Sequence, residues 1–385
     1  MKPLSIRLLI AGAALLLPAC TTTPLPAAPH ATYIVSSDCG TRPGCFDTLQ
    51  AAINQSAEQP AETWVEIQVE PGDYYEKVRI DRSRTRLSGA GAETTRLHFD
   101  AVASTAGVYH RDNWGTPGSA TLTINADEVT VKDLTVENTY DYLANDALDD
   151  QDPAKNGNPQ AAALLLDIAS DRVFMQGVRL IGYQDTLFLN GGRLYFDAGF
   201  ISGNVDFIFG NGIGLFEDST IESRRRAGDY PEGEVQSFIA APSTQLAQPV
   251  GLVFHNCRLT REAGLPDRSV TLARPWHPTT RFPDGRYADP NAVGHTVYFD
   301  TWMDAHIHED RWSPMNGTAR DGTKTAIFEP EDSRFHESGS TGPGARPGVR
   351  EMTWATPLTF DEMRAVVFDG WTLDQSGAPQ GAGTN

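Results

Sequence analysis

The sequence predicts an all-β chain wound as a right-handed parallel β-helix, with a short capping helix at its N-terminal end and a helix and tail at its C-terminal end. Three observations predict it. From Trp64 onward, strands of three to six residues recur with Gly, Asn and Asp turns between them, and helical periodicity is nearly absent. Two apolar stretches, GYQDTLFL (182–189) and GNVDFIFG (203–210), match at a spacing of 21 residues, about one solenoid coil. The phrases DEVTVKDLTVEN and DRVFMQGVRLIG lie 44 residues apart, which reads as close to two coils. A two-sheet sandwich would show longer alternating strands. A jelly roll or a propeller is the alternative that short strands alone leave open.

The elements follow in chain order. Lys2 and Arg7 flank an apolar run, Leu8 to Leu17, too short to span a bilayer as a permanent helix. It ends in Leu17-Pro18-Ala19-Cys20, which resembles a bacterial lipoprotein signal. That implies cleavage after residue 19 and acylation of Cys20, and Thr21, not an aspartate, at the next position favours the outer membrane. The alternative is an ordinary secretory peptide and a soluble periplasmic or secreted product. Residues 20–32, rich in Pro, Thr and Ala, read as a tether.

A strand then precedes CFDTLQAAINQSAEQ, where Phe46, Leu49, Ala52 and Ile53 fall at helical spacing and Asp47 is a candidate cap; this is the expected plug of the first coil. One β-helix domain is expected over residues 33–375. Two excursions interrupt its rungs: residues 140–159, acidic and loop-like, and residues 277–295, rich in Pro, Gly and Arg. Such insertions usually line one face of a solenoid, often the binding face. Thr359 with Glu362 makes a capping box opening the helix TFDEMRAVV. Residues 376–385 are expected to be disordered.

Net charge is −19 at pH 7; without residues 1–19 the 31 basic residues become 29 against 50 acids, and the balance is −21. A chain so acidic is a poor partner for nucleic acid or anionic lipid, and it would favour an acidic polymer in its neutralised, esterified form. Cys39 and Cys45, in a Gly/Pro turn, are positioned for a small disulfide in an oxidising compartment, whereas Cys257 reads as a buried thiol. No CxxC or Cys/His spacing suggests zinc. The run HIHED (306–310) reads as surface loop rather than as a metal cluster.

The chemistry centres on Asp185 and Asp206. One coil apart, they stack with backbones separated by roughly 4.8 Å. Two carboxylates so close cannot both ionise freely, so one holds its proton to higher pH. A carboxylate beside a carboxylic acid is a nucleophile beside a proton donor. Arg274 can offer a forked pair of hydrogen bonds to an aspartate in an apolar run. Buried Asp in solenoids also bonds turn amides, Arg can be a structural ion pair, and Gln forms ladders. Two acids, two amides and one Arg together weigh toward catalysis.

Five segments, GDYYEKV (72–78), QAAAL (160–164), GYQDTL (182–187), GNVDFIFG (203–210) and LARPW (272–276), resemble in order and spacing the pectin methylesterase (pectinesterase) family, in a likeness running from Tyr33 to Trp371. The resemblance implies a right-handed parallel β-helix that hydrolyses C6 methyl esters of polygalacturonate to carboxylate and methanol, without metal or other cofactor. It implies Asp206 as nucleophile, Asp185 as proton donor and acceptor, Gln184 and Gln160 as oxyanion donors, and Arg274 as the group orienting Asp206. It further implies that Thr116 and Arg226 contact galacturonate groups, with Arg226 one of three consecutive arginines.

Tyr183, Phe209 and Trp276 flank these residues and offer faces for sugar rings, although Phe209 also fits as packing alone. Met315 lines a methyl pocket or sits in the core. Well-known bacterial members carry two cysteines where this chain has Gly199 and Ser219. The expected partners are pectin or oligogalacturonides and, through Cys20, a membrane; no nucleic acid is expected, and the chain is expected to be a monomer. Two rivals remain: an outer-membrane lipoprotein acyl (thio)esterase on the same fold, and a non-catalytic oligogalacturonide-binding solenoid. A polygalacturonase or lyase on this scaffold is a third, and a lyase would require a calcium site.

Overall fold

The computed structural model describes residues 30–108, 115–346, 358–373 and 379–380. Three parallel sheets of eleven, eight and seven strands run the length of the molecule, and the chain visits them in turn. Seven successive coils contribute one strand to each sheet, which is a right-handed parallel β-helix. Among the described residues no helix is long and apolar enough to cross a membrane.

Register comes from the sequence repeat. Leu187, Phe188 and Leu189 pair with Ile208, Phe209 and Gly210, an offset of 21 residues. The 44-residue offset is corrected: Phe174 pairs directly with Thr130, so those phrases lie on adjacent coils, not two coils apart. The intervening coil is swollen by the 140–159 excursion, and spacing alone cannot separate a long coil from two short ones.

Inward side chains alternate with outward ones, as strand geometry requires. Phe196, Phe216, Phe254 and Tyr298 stand in register on four successive strands of the eleven-stranded sheet. The last three stack face to face at 4.7 and 4.5 Å between ring centroids. The buried Tyr298 hydroxyl donates to the Leu272 carbonyl (2.9 Å), so the column ends without an unsatisfied polar group. At the corner between the first two sheets, seven of the coils turn on one left-handed residue. Asp133, Ala198, Asp218, Asn256 and Asp300 occupy this position with φ near 50°, and Gly177 and Gly339 do so in two other coils. Most are Asp, Asn or Gly, the residues that reach this backbone region most easily.

The N-terminal end of the solenoid is covered, and a C-terminal helix lies against its side. Helix Leu49–Ser56 turns Leu49, Ala52 and Ile53 onto the first coil. Its cap is Thr48, whose hydroxyl accepts from the Ala51 N–H (3.2 Å), rather than Asp47, and Phe46 lies in a two-residue strand before it. Glu76 accepts from the Leu49 and Gln50 amides (2.9 and 3.1 Å), so part of the GDYYEKV segment ties this cap to the rungs. The first strand, His30–Val35, takes in three residues expected to end the tether.

Cys39 and Cys45 are disulfide-bonded beside it, and Cys257 is a buried free thiol whose titration burial pushes up to about 12. The capping box at Thr359 is formed, and helix Phe360–Val367 packs Met363 and Val367 against Phe174, Tyr195 and Val253 on the outer face of the large sheet. Two residues of the expected tail, Pro379–Gln380, pair with Thr372–Leu373. The leader, Cys20 and the rest of the tether up to residue 29 lie outside the described residues.

Candidate active site

The seven-stranded sheet carries the site on its outer face. Along strands Leu164–Leu166, Leu187–Leu189 and Val205–Gly210, alternate residues point into the core. The residues between them, Leu165, Phe188 and Phe209, form an outer apolar band with Ala120, Ala162 and Ala241, and Trp276 packs against it. Asp185, Asp206 and Arg274 stand beside this band. Asp206 sits at an irregularity: Val205 pairs with Phe238 but Ile208 with Ala240, so three steps on one strand match two on the other. That bulge breaks the alternation and leaves Phe207 in the core and Asp206 at the cleft.

Asp185 and Asp206 both have left-handed backbones, φ 67° and 51°. For a residue other than glycine that conformation costs on the order of 1 kcal/mol, and such strain gathers at functional sites. The Asp185 N–H donates to the Val205 carbonyl (3.1 Å), which locks the two coils in step at this point.

Arg274 follows strand Val270–Ala273, and its side chain reaches back across the neighbouring strand to Asp206. Its Nε donates to Oδ1 (2.7 Å) and its Nη2 to Oδ2 (2.6 Å), the planar fork-on-carboxylate geometry. Asp206 is 7% exposed and Asp185 9%. Burial raises the Asp185 carboxyl well above the usual range; the Asp206 charge pushes the same way, and Arg274 opposes both. Asp185 therefore holds its proton far more tightly than an ordinary carboxylic acid, next to a carboxylate gripped by a guanidinium.

These groups open on a cleft of ≈ 570 Å³. Its lining brings together nine of the residues singled out in the sequence: Thr116, Gln160, Gln184, Asp185, Asp206, Phe209, Arg274, Trp276 and Met315. The two glutamines lie in the segments that lead into adjacent strands, the Ala161 N–H donating to the Gln184 carbonyl (3.2 Å). Phe188 also lines the cleft and stacks on Phe209 (4.3 Å between centroids), with Trp276 edge-on to both. The sequence reading missed Phe188, although the 21-residue step that links the aspartates also links it to Phe209.

Tyr183 and Arg226 are not brought into this lining. Tyr183 stacks on Tyr142 (5.2 Å) beneath the Arg224 guanidinium, which also donates to its hydroxyl (2.7 Å). Arg226 is ion-paired with Asp146 (2.6 Å). Tyr142 and Asp146 begin and end a short helix, Tyr142–Asp146, inside the excursion expected to be loop. That excursion is thus docked beside the site by a ring stack and a salt bridge.

The second excursion holds a hairpin, Thr279–Phe282 with Gly285–Ala288, and Thr279 reaches the cleft. At the positions of the absent cysteines, the Ser219 hydroxyl accepts from the Gly199 N–H (3.1 Å). HIHED is not simply surface loop, since His306 is fully buried. No cluster of three or more metal-ligating side chains occurs among the described residues.

Comparison with known proteins agrees with this architecture. The sequence model of the family described as Pectinesterase matches residues 33–369. Pectinesterase A of Dickeya dadantii (strain 3937) is 40% identical over 333 residues, covering 85% of this chain and 88% of that protein. A pectinesterase of Arabidopsis thaliana, probable pectinesterase 55, is 32% identical over 240 residues, covering 62% of this chain and 65% of its own length. Among solved structures, the pectin methylesterase PemA from Erwinia chrysanthemi superposes with a TM-score of 0.79 at 40% identity, over 88% of this chain and 97% of its own. The pectin methylesterase from Yersinia enterocolitica superposes with a TM-score of 0.74 at 40% identity, over 83% and 96%. This chain belongs to the pectinesterase family of carboxylic ester hydrolases.

Proposed function

We propose that the protein hydrolyses the C6 methyl esters of pectin to pectate and methanol, with Asp206 as nucleophile and Asp185 as proton donor and acceptor. One observation carries the reading: a forked Arg274–Asp206 pair beside a carboxyl that burial keeps protonated, both opening on one cleft. A pectin methylesterase 40% identical to this chain has been solved in complex with a hexasaccharide, which supports an oligosaccharide as occupant of the corresponding groove.

The steps follow from the groups present. Arg274 aims the Asp206 carboxylate at the ester carbonyl. Attack gives a tetrahedral intermediate, whose oxyanion the Gln160 and Gln184 amides stabilise as neutral donors. Methoxide is a poor leaving group, so Asp185 gives its proton as the C–O bond breaks and methanol departs. An anhydride links Asp206 to the sugar carboxyl. Asp185, now a carboxylate, takes a proton from water, whose oxygen attacks the anhydride. This frees the Asp206 carboxylate and the galacturonic acid, whose carboxyl gives its proton to solvent to become galacturonate, and restores protonated Asp185. No metal or cofactor enters these steps. Phe209 and Trp276 provide faces for sugar rings, and Thr116 and Met315 border the ester.

Cleavage after residue 19, acylation of Cys20 and an outer-membrane tether up to residue 29 complete the reading, with a single catalytic domain from His30 onward acting as a monomer. The Leu-Pro-Ala-Cys sequence supports the anchor. Methanol release from highly methylated pectin, measured beside hydrolysis of an acyl thioester, tests the activity. Release of methanol without thioester cleavage is expected; the reverse overturns it. Membrane-fraction activity that becomes soluble in a Cys20→Ser variant tests the anchor, and activity already soluble in the parent overturns it.

A further inference from the structure

Phe238 is a residue that no motif singles out, and its ring meets the site at Arg274. Its ring lies under the Arg274 guanidinium, with the guanidinium carbon 3.8 Å from the ring centroid. The topology explains why a platform is needed. Strand Ser237–Pro242 lies between the strand of Asp206 and the strand before Arg274, with Phe238 in register with Val205 on one side and Thr271 on the other. Arg274 leaves its strand beyond the Ala240–Ala273 pair, and its N–H donates to the Ala240 carbonyl (3.0 Å).

To reach Asp206, its side chain must therefore run back about two residues along the sheet, roughly 7 Å, and cross the intervening strand. A chain of four rotatable bonds laid over that distance has many rotamers, and only a few place both Nε and Nη2 on one carboxylate. The Phe238 ring removes most of the others. It supports the flat guanidinium from one face, where cation and ring attract, and leaves the edge free to fork onto Asp206.

We infer that Phe238 is a positioning residue for the reaction: an aromatic platform that fixes the plane of Arg274 and, through it, the attack line of Asp206. The inference rests on the reading of Asp206 as nucleophile. Phe238 makes no contact with the ester in this account, so its loss lowers turnover rather than substrate binding.

The test measures methanol release by full-length parent, Phe238→Leu, Phe238→Tyr, Arg274→Lys and the Phe238→Leu/Arg274→Lys double variant, with melting curves for each. Phe238→Leu is expected to lower kcat on the order of ten-fold with KM unchanged. Phe238→Tyr, which keeps the ring face, is expected to recover most of that loss. In the Arg274→Lys background, where no planar group rests on the ring, adding Phe238→Leu is expected to change kcat less than two-fold.

Equal losses in the Leu and Tyr variants, a loss expressed in KM, or a Leu effect that persists in full beside Arg274→Lys each overturns the inference. If Phe238→Leu does not fold, Phe238→Met, likewise flexible and without a π face, takes its place under the same criteria. Failure of the underlying reading shows separately, as parent-like methanol release by Asp206→Ala.

Discussion

Replacing Arg274 by Ala tests the forked pair directly. The substitution removes two charge-assisted hydrogen bonds, of 2.7 and 2.6 Å, and leaves a buried carboxylate without its cation. Breaking a buried pair from one side costs about 3–5 kcal/mol, because the remaining charge has lost its compensation. Both side chains keep some contact with solvent, 19% for Arg274 and 9% for Asp206, so the lower end of that range applies, about 3 kcal/mol.

For turnover the loss is expected to be about 100-fold in kcat, since a misaimed nucleophile forfeits about 2–3 kcal/mol of transition-state stabilisation. Arg274→Lys keeps the charge but not the fork and should fall between parent and Arg274→Ala. The assay pairs methanol release with thermal melting. Adding Asp206→Asn to Arg274→Ala should recover part of the lost stability, because the orphaned charge disappears, while activity stays absent. An Arg274→Ala enzyme with kcat within three-fold of the parent would refute the reasoning, as would a double variant less stable than Arg274→Ala alone.

Other outcomes follow from the same geometry. Asp185→Asn should raise the melting temperature at neutral pH while removing activity. The native carboxyl titrates above its unfolded value, so between those two values the native state binds more protons, and stability falls as pH rises through that window. The gain from Asn should therefore vanish as pH drops toward the ordinary carboxylate range; a gain independent of pH would contradict the burial argument. Trp276→Ala removes the edge partner of Phe188 and Phe209 at the cleft and should raise KM for polymeric substrate by about ten-fold with a smaller change in kcat. A change confined to kcat would speak against a sugar-facing role. Replacing Cys39 and Cys45 together by Ser opens a short loop and should cost about 2 kcal/mol of stability without altering kcat. Chemical denaturation and methanol release on the same samples check both halves.

The solenoid was readable because its repeat is written in covalent spacing. A 21-residue step between two apolar stretches became the pairing of Leu187–Leu189 with Ile208–Gly210, and the aspartates stand in neighbouring coils for the same reason. Spacing misled where a coil carries an insertion: the 44-residue offset turned out to be one swollen coil. The same excursion supplies contacts that spacing could not show. Tyr183 was set beside the site by its neighbours in sequence and Arg226 by the family resemblance. Their side chains hold Tyr142 and Asp146, which lie about 40 and 80 residues earlier and whose landing place no local pattern encodes. His306 reads as surface from its polar neighbours, yet the turn it occupies, whose carbonyl accepts from the Ser269 and Val270 amides, is buried. Phe238 escaped notice because its partner, Arg274, is reached across a strand rather than along one.

The proposed catalysis rests on the pairing of one carboxylate that attacks with one carboxylic acid that donates. Methanol release from methylated pectin by Asp206→Ala and Asp185→Ala, each verified as folded by its melting curve, tests this most directly. The expected result is no turnover above background for Asp206→Ala and at most slow release for Asp185→Ala. Activity within ten-fold of the parent in either folded variant would contradict it.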